Sequence, residues 1–271
     1  DVLAQPVSED WMAMKLPKRA QPNSEDIKAA ANLLRSAKRP LLMIGGGAVG
    51  ASAPVRKLME QLKAPVLCST AGKGIVPDDH LLSLNASTVR PEVQSFISTA
   101  DVILAVGTEL AETDSFVDSL DFRGEIIRID LDPKKINDQY PSKIGIVADA
   151  NASIQALLDE GGYKSKRKEK EIYTELEEIR QKIFENLTVS ERQHIKLLRA
   201  LEVKMPGDTF YAGDICQLVY TGAFGMNVRN PGCWSYPAGY CALGCGLPNA
   251  IGAKIAQPER PVVCLTGDGG F

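Results

Sequence analysis

The amino-acid sequence predicts an α/β protein, a doubly wound parallel sheet followed by an incomplete second α/β domain. Three observations carry this. Short apolar runs without polar alternation recur between residues 40 and 149, among them "PLLMIG", "DVILAVG" and "EIIRIDLD", the pattern of strands buried on both faces. Stretches of helical periodicity separate them, so successive strands are joined by crossovers and run parallel. A fresh alternation of helix and strand begins after residue 190 and breaks off at "VVCLTGDGGF", where the chain ends.

The elements follow in order. Residues 1–22 are aperiodic and carry prolines, and are expected to be a linker strapped onto a surface. "SEDIKAAANLLRSAKR" (24–39) is a helix with Ser24 as its N-cap. "PLLMIG" (40–45) is a buried strand, "APVRKLMEQLKA" (53–64) a helix and "PVLCST" (65–70) a strand. After a Gly/Pro-rich loop come a helix at 91–100 and strands at 101–107, 125–132 and 144–149, then a helix at 151–162 that closes on glycine. One doubly wound domain is expected over 23–162. Residues 163–190 form a mixed charge run, expected to be a solvated linker helix held by Glu/Lys pairs. In 191–271 "RQHIKLLRALEVKM" reads as a helix and "TFYAGD" (209–214) as a strand; glycine-rich chain, a helix from about Pro248 and a last strand follow.

Composition narrows the function. With 271 residues, 44% hydrophobic and 24% charged, the chain has the make-up of a soluble globular protein of about two domains. A formal net charge of -3 speaks against nucleic acid as a partner, which needs clustered uncompensated Lys and Arg. No apolar run approaches the roughly 20 residues of a membrane helix, and no export signal opens the chain, so a cytoplasmic location and reduced cysteines are expected. Cys241 and Cys245 stand three apart without a second pair, and His80 and His194 are distant, so a zinc cluster is not expected.

Gly45-Gly46-Gly47-Ala48-Val49-Gly50 satisfies G-x-G-x-x-G between a strand and a helix, the setting of a dinucleotide-binding turn. An NAD site also needs an acid at the end of the next strand, and that strand ends Cys68-Ser69-Thr70. The glycines are therefore expected to serve close packing, with a noncatalytic nucleotide-binding module as the competing reading. The loop "TAGKGIVPDDH" (70–80) could offer Lys73 to a ligand or be a structural crossover.

The sharper signal lies at the end. Gly244, Gly246, Ala250, Gly252 and Ala253 allow close backbone approach, and Gly267-Asp268-Gly269-Gly270 follows a strand at the edge where parallel sheets bind ligands. There Asp268 could offer an oxygen ligand to Mg2+ while bare backbone admits a diphosphate beside it.

These residues resemble a known family. "ALGCGLPNAIGAKIAQPERPVVCLTGDGGF" is similar to the cofactor domain of thiamine diphosphate enzymes of the acetolactate synthase, pyruvate oxidase and benzoylformate decarboxylase group. "AGKGIVPDDHLLSL" and "ADVILAVGTELAETD" resemble that group's Rossmann-like central domain. The resemblance implies that Asp268 binds the metal and that Gly267, Gly269 and Gly270 shape the diphosphate loop. It implies that Leu243 wedges the cofactor into a bent shape and that Cys241, with Ala242 beside it, offers a carbonyl to the aminopyrimidine. The resemblance further implies that the bend brings the cofactor's amino group, as its imine, near the thiazolium carbon to remove its proton; the ylid so formed would attack a 2-oxo acid, and the ring would take up the electrons released with CO2.

Two family features lie outside residues 1–271, a metal-binding Asn 25 to 30 residues past the aspartate and a catalytic Glu in a preceding domain. No catalytic residue is therefore expected here, and the chain is expected to be an inactive piece of a larger homodimeric or homotetrameric enzyme. "LNASTVRP" and "GTELAETD" depart from flavin-binding members and argue against structural FAD. The second stretch resembles decarboxylases of longer 2-oxo acids, such as 5-guanidino-2-oxopentanoate. The expected activity is decarboxylation of a 2-oxo acid, with or without ligation of the product.

Overall fold

The computed structural model describes residue 5 and residues 18–271, so most of the expected 1–22 linker lies outside the described residues. Its end is tied down: Ala20 accepts a hydrogen bond from the Asp149 amide, and Arg19 pairs with the Asp149 carboxylate at 2.7 Å.

The first sheet is parallel throughout and built from β1 (Pro40–Ile44), β2 (Val66–Cys68), β3 (Val102–Val106), β4 (Glu125–Asp130) and β5 (Ile144–Val147), in the order β2-β1-β3-β4-β5. The helices α1 (Ser24–Ser36), α2 (Ser52–Leu62), α3 (Pro91–Ile97), the single turn α4 (Glu112–Ser115) and α5 (Ala150–Glu160) alternate with the strands except between β4 and β5, where only a short 3-10 turn, Pro133–Lys135, intervenes. Every residue of β3 is buried, as its unbroken apolar run requires. The cap of α1 differs from expectation. Asn23 is the N-cap and its side chain accepts from the Glu25 amide, while Ser24 is already helical. Both residue types can fill that role, and the backbone turns into the helix one residue earlier.

The charge run folds into α6 (Glu169–Glu185), and its burial corrects the solvated reading. Ile172, Leu176 and Ile179 recur at helical spacing, are buried, and join the core of the first sheet. Arg180 adds hydrogen bonds to the carbonyls of Leu81 and Ser83. The narrow stripe is hidden in the sequence by the Glu and Lys residues between its members.

α7 (Val189–Lys204) opens on a capping box between Thr188 and Glu191. A second parallel sheet, β7-β6-β8, follows from β6 (Phe210–Gly213), β7 (Trp234–Ser235) and β8 (Val262–Leu265), with α8 (Gln217–Gly225) and α9 (Gly246–Ala256) as crossovers. Its smaller core gathers Leu198, Tyr211, Val219, Met226, Trp234 and Leu265.

A buried ion pair in the loop after β2 anchors that loop to α8 and the chain after it. Lys73 and Asp78, with wholly buried side chains, meet at 2.6 Å; Lys73 also donates to the carbonyls of Ala223 and Met226, and Asp78 accepts from the Val228 amide. The ligand reading of Lys73 is thereby corrected to a structural one, because all three bonds it makes run to the protein.

Candidate functional site

Three chain segments converge at the carboxyl edge of the β7-β6-β8 sheet, the position where open parallel sheets bind ligands. They are the exit of β6 at Asp214, the loop 236–246 that leads into α9, and the turn 266–271 after β8.

The turn begins at Gly267, and Asp268, Gly269 and Gly270 make a short 3-10 turn. The Asp268 side chain is exposed and makes no hydrogen bond or ion pair among the described residues. A Cβ on Gly269 would meet nothing within 4 Å, so the backbone beside the carboxylate is open. Gly270 is buried: a Cβ there would lie 2.7 Å from Asp214 Cγ.

The loop stands out in solvent. Tyr240 is 92% and Leu243 63% exposed, and Cys241 and Ala242 are exposed beside them. Cys241 takes the left-handed conformation at φ +54, uncommon for a side-chain-bearing residue, and Gly244 has φ +84. Thus the structure brings Asp268, Gly267, Gly269 and Gly270 together on one turn and sets Cys241, Ala242 and Leu243 on the adjoining loop. A Cβ on Gly244 would come 4.0 Å from the Gly270 carbonyl oxygen.

Sequence reasoning missed Asp214, which lies between the two segments with no exposed surface. Its carboxylate accepts from the amides of Gly246 at 2.7 Å, Ile215 at 2.7 Å and Gly244 at 3.1 Å. Burial pushes its pKa up, but the hydrogen bonds from Gly246, Ile215 and Gly244 outweigh that and hold it below the usual carboxylate range. The available signal was an acid directly after the apolar strand "TFYAG".

The donor set suits a hard cation shared with a diphosphate. Among the described residues no group of three or more His, Cys, Asp or Glu side chains could enclose a metal. An ion at Asp268 would therefore take most of its ligands from phosphate oxygens and water, the habit of Mg2+. The open backbone at Gly269 leaves the room this needs, and the exposed Leu243 offers apolar surface to an organic ring system.

The first glycine motif is different. A Cβ on Gly45 would lie 2.2 Å from the Gly107 carbonyl oxygen, and one on Gly47 2.8 Å from Gly107 Cα; the Gly47 amide donates to Gly107. These glycines let the ends of β1 and β3 touch, and the Gly47 amide is already satisfied.

Comparison with known proteins gives the family. Residues 27–157 match the thiamine pyrophosphate enzyme central domain, and residues 214–271 the C-terminal TPP binding domain. The chain belongs to the thiamine pyrophosphate enzymes. It is 41% identical over 273 residues to a probable 2-ketoarginine decarboxylase, AruI, of Pseudomonas aeruginosa, which covers 100% of this chain and 49% of that protein. It is 30% identical over 254 residues to the acetolactate synthase isozyme 3 large subunit of Escherichia coli, and 28% over 267 to a probable acetolactate synthase large subunit of Methanococcus aeolicus. Each of these alignments covers 90% of this chain and 44% of the relative. The chain thus spans about half the length of the curated relatives it matches.

Proposed function

We propose that this chain is the central and cofactor-binding part of a thiamine diphosphate- and Mg2+-dependent enzyme that decarboxylates a 2-oxo acid. The observation that carries the reading is the exposed Asp268 carboxylate, without a partner among the described residues, with open backbone at Gly269. In this reading Asp268 would hold Mg2+, Gly267, Gly269 and Gly270 would leave room for the diphosphate, and Leu243 would offer its apolar side chain to the cofactor's ring system. The left-handed turn at Cys241 sets the carbonyl offered to the aminopyrimidine. When bound, thiamine diphosphate supplies the electron sink for the carbanion left as CO2 departs.

The substrate proposed is a guanidino 2-oxo acid, the class of 2-ketoarginine. Support comes from the 41% identity to the probable 2-ketoarginine decarboxylase along the whole chain, against 28–30% for the acetolactate synthases. A lyase outcome is proposed with that comparison as its support, and carboligation is the transferase alternative. A cytoplasmic homodimer or homotetramer is also part of the proposal. Leu247, Ile251 and Ile255 at helical spacing on α9 are exposed and supply an apolar face for a second subunit. Among the described residues no helix is long and apolar enough to cross a membrane.

The test is calorimetric titration of the full-length protein with thiamine diphosphate and Mg2+. The wild type is expected to bind, and Asp268→Ala to lose its metal-dependent affinity. Equal binding by both removes Asp268 from the site.

A further inference from the structure

The loop 236–246 presents a physical problem. Residues 239–244 are all exposed, so little burial holds their shape, and the loop contains two left-handed positions, Cys241 and Gly244. At its start Ala238 donates to Tyr236, and Cys241 to Pro237. At its end the amides of Gly244 and Gly246 both donate to Asp214.

The Asp214 main chain is fixed in turn, since its amide donates to the Leu265 carbonyl at the end of β8. Neighbouring glycines record how closely the chain wraps its carboxyl group. A Cβ on Gly246 would lie 2.9 Å from Asp214 Cβ, and one on Gly270 2.7 Å from Asp214 Oδ1. One side chain therefore touches all three segments of the site.

We infer that Asp214 is a positioning residue that sets the loop 241–246 and the turn 267–270 in their binding geometry before the cofactor arrives. The inference rests on the thiamine diphosphate reading and adds a residue to it. Its carboxylate acts as a remote N-cap for α9, whose own N-cap, Cys245, makes no side-chain hydrogen bond. Negative charge at that helix end is favourable, and the Gly246 amide is one of the donors a helix start leaves open. Gly270 packed against the same group fixes the distance from the loop to the turn that carries Asp268. The carboxylate keeps its charge under the loop because three amides serve it. The consequence is preorganisation: ordering the loop in advance lowers what cofactor binding must supply.

The test uses Asp214→Asn in the full-length protein, which keeps the size but replaces one acceptor oxygen with an NH2 that faces an amide N–H. Thiamine diphosphate, titrated by calorimetry at saturating Mg2+, is expected to bind about tenfold to a hundredfold more weakly, the range for losing a hydrogen bond to a charged group. Amide hydrogen exchange without cofactor is expected to speed up at Gly244 and Gly246 while β6 and β8 stay protected. Unchanged affinity with unchanged exchange in the variant overturns the inference. Absence of binding by the wild type instead sinks the thiamine diphosphate reading, and the exchange comparison still judges the positioning. If Asp214→Asn does not fold, the wild type decides alone. Slow exchange at Gly244 and Gly246 before cofactor is added supports the inference, and protection that arises only on adding cofactor overturns it.

Discussion

Gly45 and Gly50 share one fingerprint and have opposite surroundings. A methyl group on Gly45 would strike the Gly107 carbonyl and Thr108 Cα, at 2.2 and 2.6 Å, whereas one on Gly50 meets nothing within 4 Å. Backbone is the obstacle at Gly45, so relief requires β1 and β3 to part. Gly45→Ala is expected to destabilise the protein by about 1–3 kcal/mol, as overpacking does. Gly50→Ala is expected to stay within about 0.5 kcal/mol of the wild type, as open sites do. Urea midpoints of the two variants check this; equal midpoints would mean that the motif is not kept for packing. The same residue-scale logic separates Asp268 from Asp214. One carboxylate faces solvent without a partner among the described residues, and the other is surrounded by amides.

Single side chains decide where elements begin. Asp149 caps α5 by accepting from the Ala152 amide and receives Arg19 on the same carboxyl group. The hydrogen bond from Arg19, with the Ala152 amide beside it, holds its carboxyl below the usual carboxylate range against the effect of burial. The sign follows: with the folded pKa depressed, its stabilisation is complete above the ordinary value of about 3.9 and is lost as pH falls through the lower folded value. Melting temperatures measured from pH 6 down to pH 3 are expected to fall less steeply for Asp149→Asn than for the wild type. Parallel curves would show that the cap carries no linked proton. Helix α6 shows the opposite case, in which charge content misleads. Ile172, Leu176 and Ile179 are few, yet they lie on one face and that face meets the core.

At the scale of the whole molecule the decisive feature is the Lys73–Asp78 pair, because it ties a loop of the first sheet to α8 and the chain after it. A buried pair is weak evidence of net stabilisation, but removing one partner strands the other charge. Lys73→Met is therefore expected to cost about 3–5 kcal/mol in chemical denaturation. Burial already pushes the Asp78 carboxyl up, with Lys73 among the groups opposing it. Losing Lys73 raises it further, so the variant's deficit should shrink as pH falls and the carboxyl takes up its proton. A cost below about 1 kcal/mol would show that the two sheets are held together by other contacts.

Most strands and helices were legible because side-chain periodicity is local. The unbroken runs of β1 and β3 and the apolar spacing of α1 and α2 need no knowledge of a partner. The class of protein was legible too, because "AGKGIVPDDHLLSL", "ADVILAVGTELAETD" and the closing stretch through Asp268 together make a combination specific enough to name a family, although none does so alone. Strand order, the two-residue strand β7 and the work of Asp214 and Lys73 were not. Which strand lies beside which, and which amide faces which carboxylate, depend on contacts between residues 17 to 150 positions apart. Short-range pattern therefore specified the elements and the Gly267–Gly270 turn. Long-range packing alone selected the carboxylate that shapes the loop beside that turn, because a buried charge takes its role from the donors the folded chain places around it.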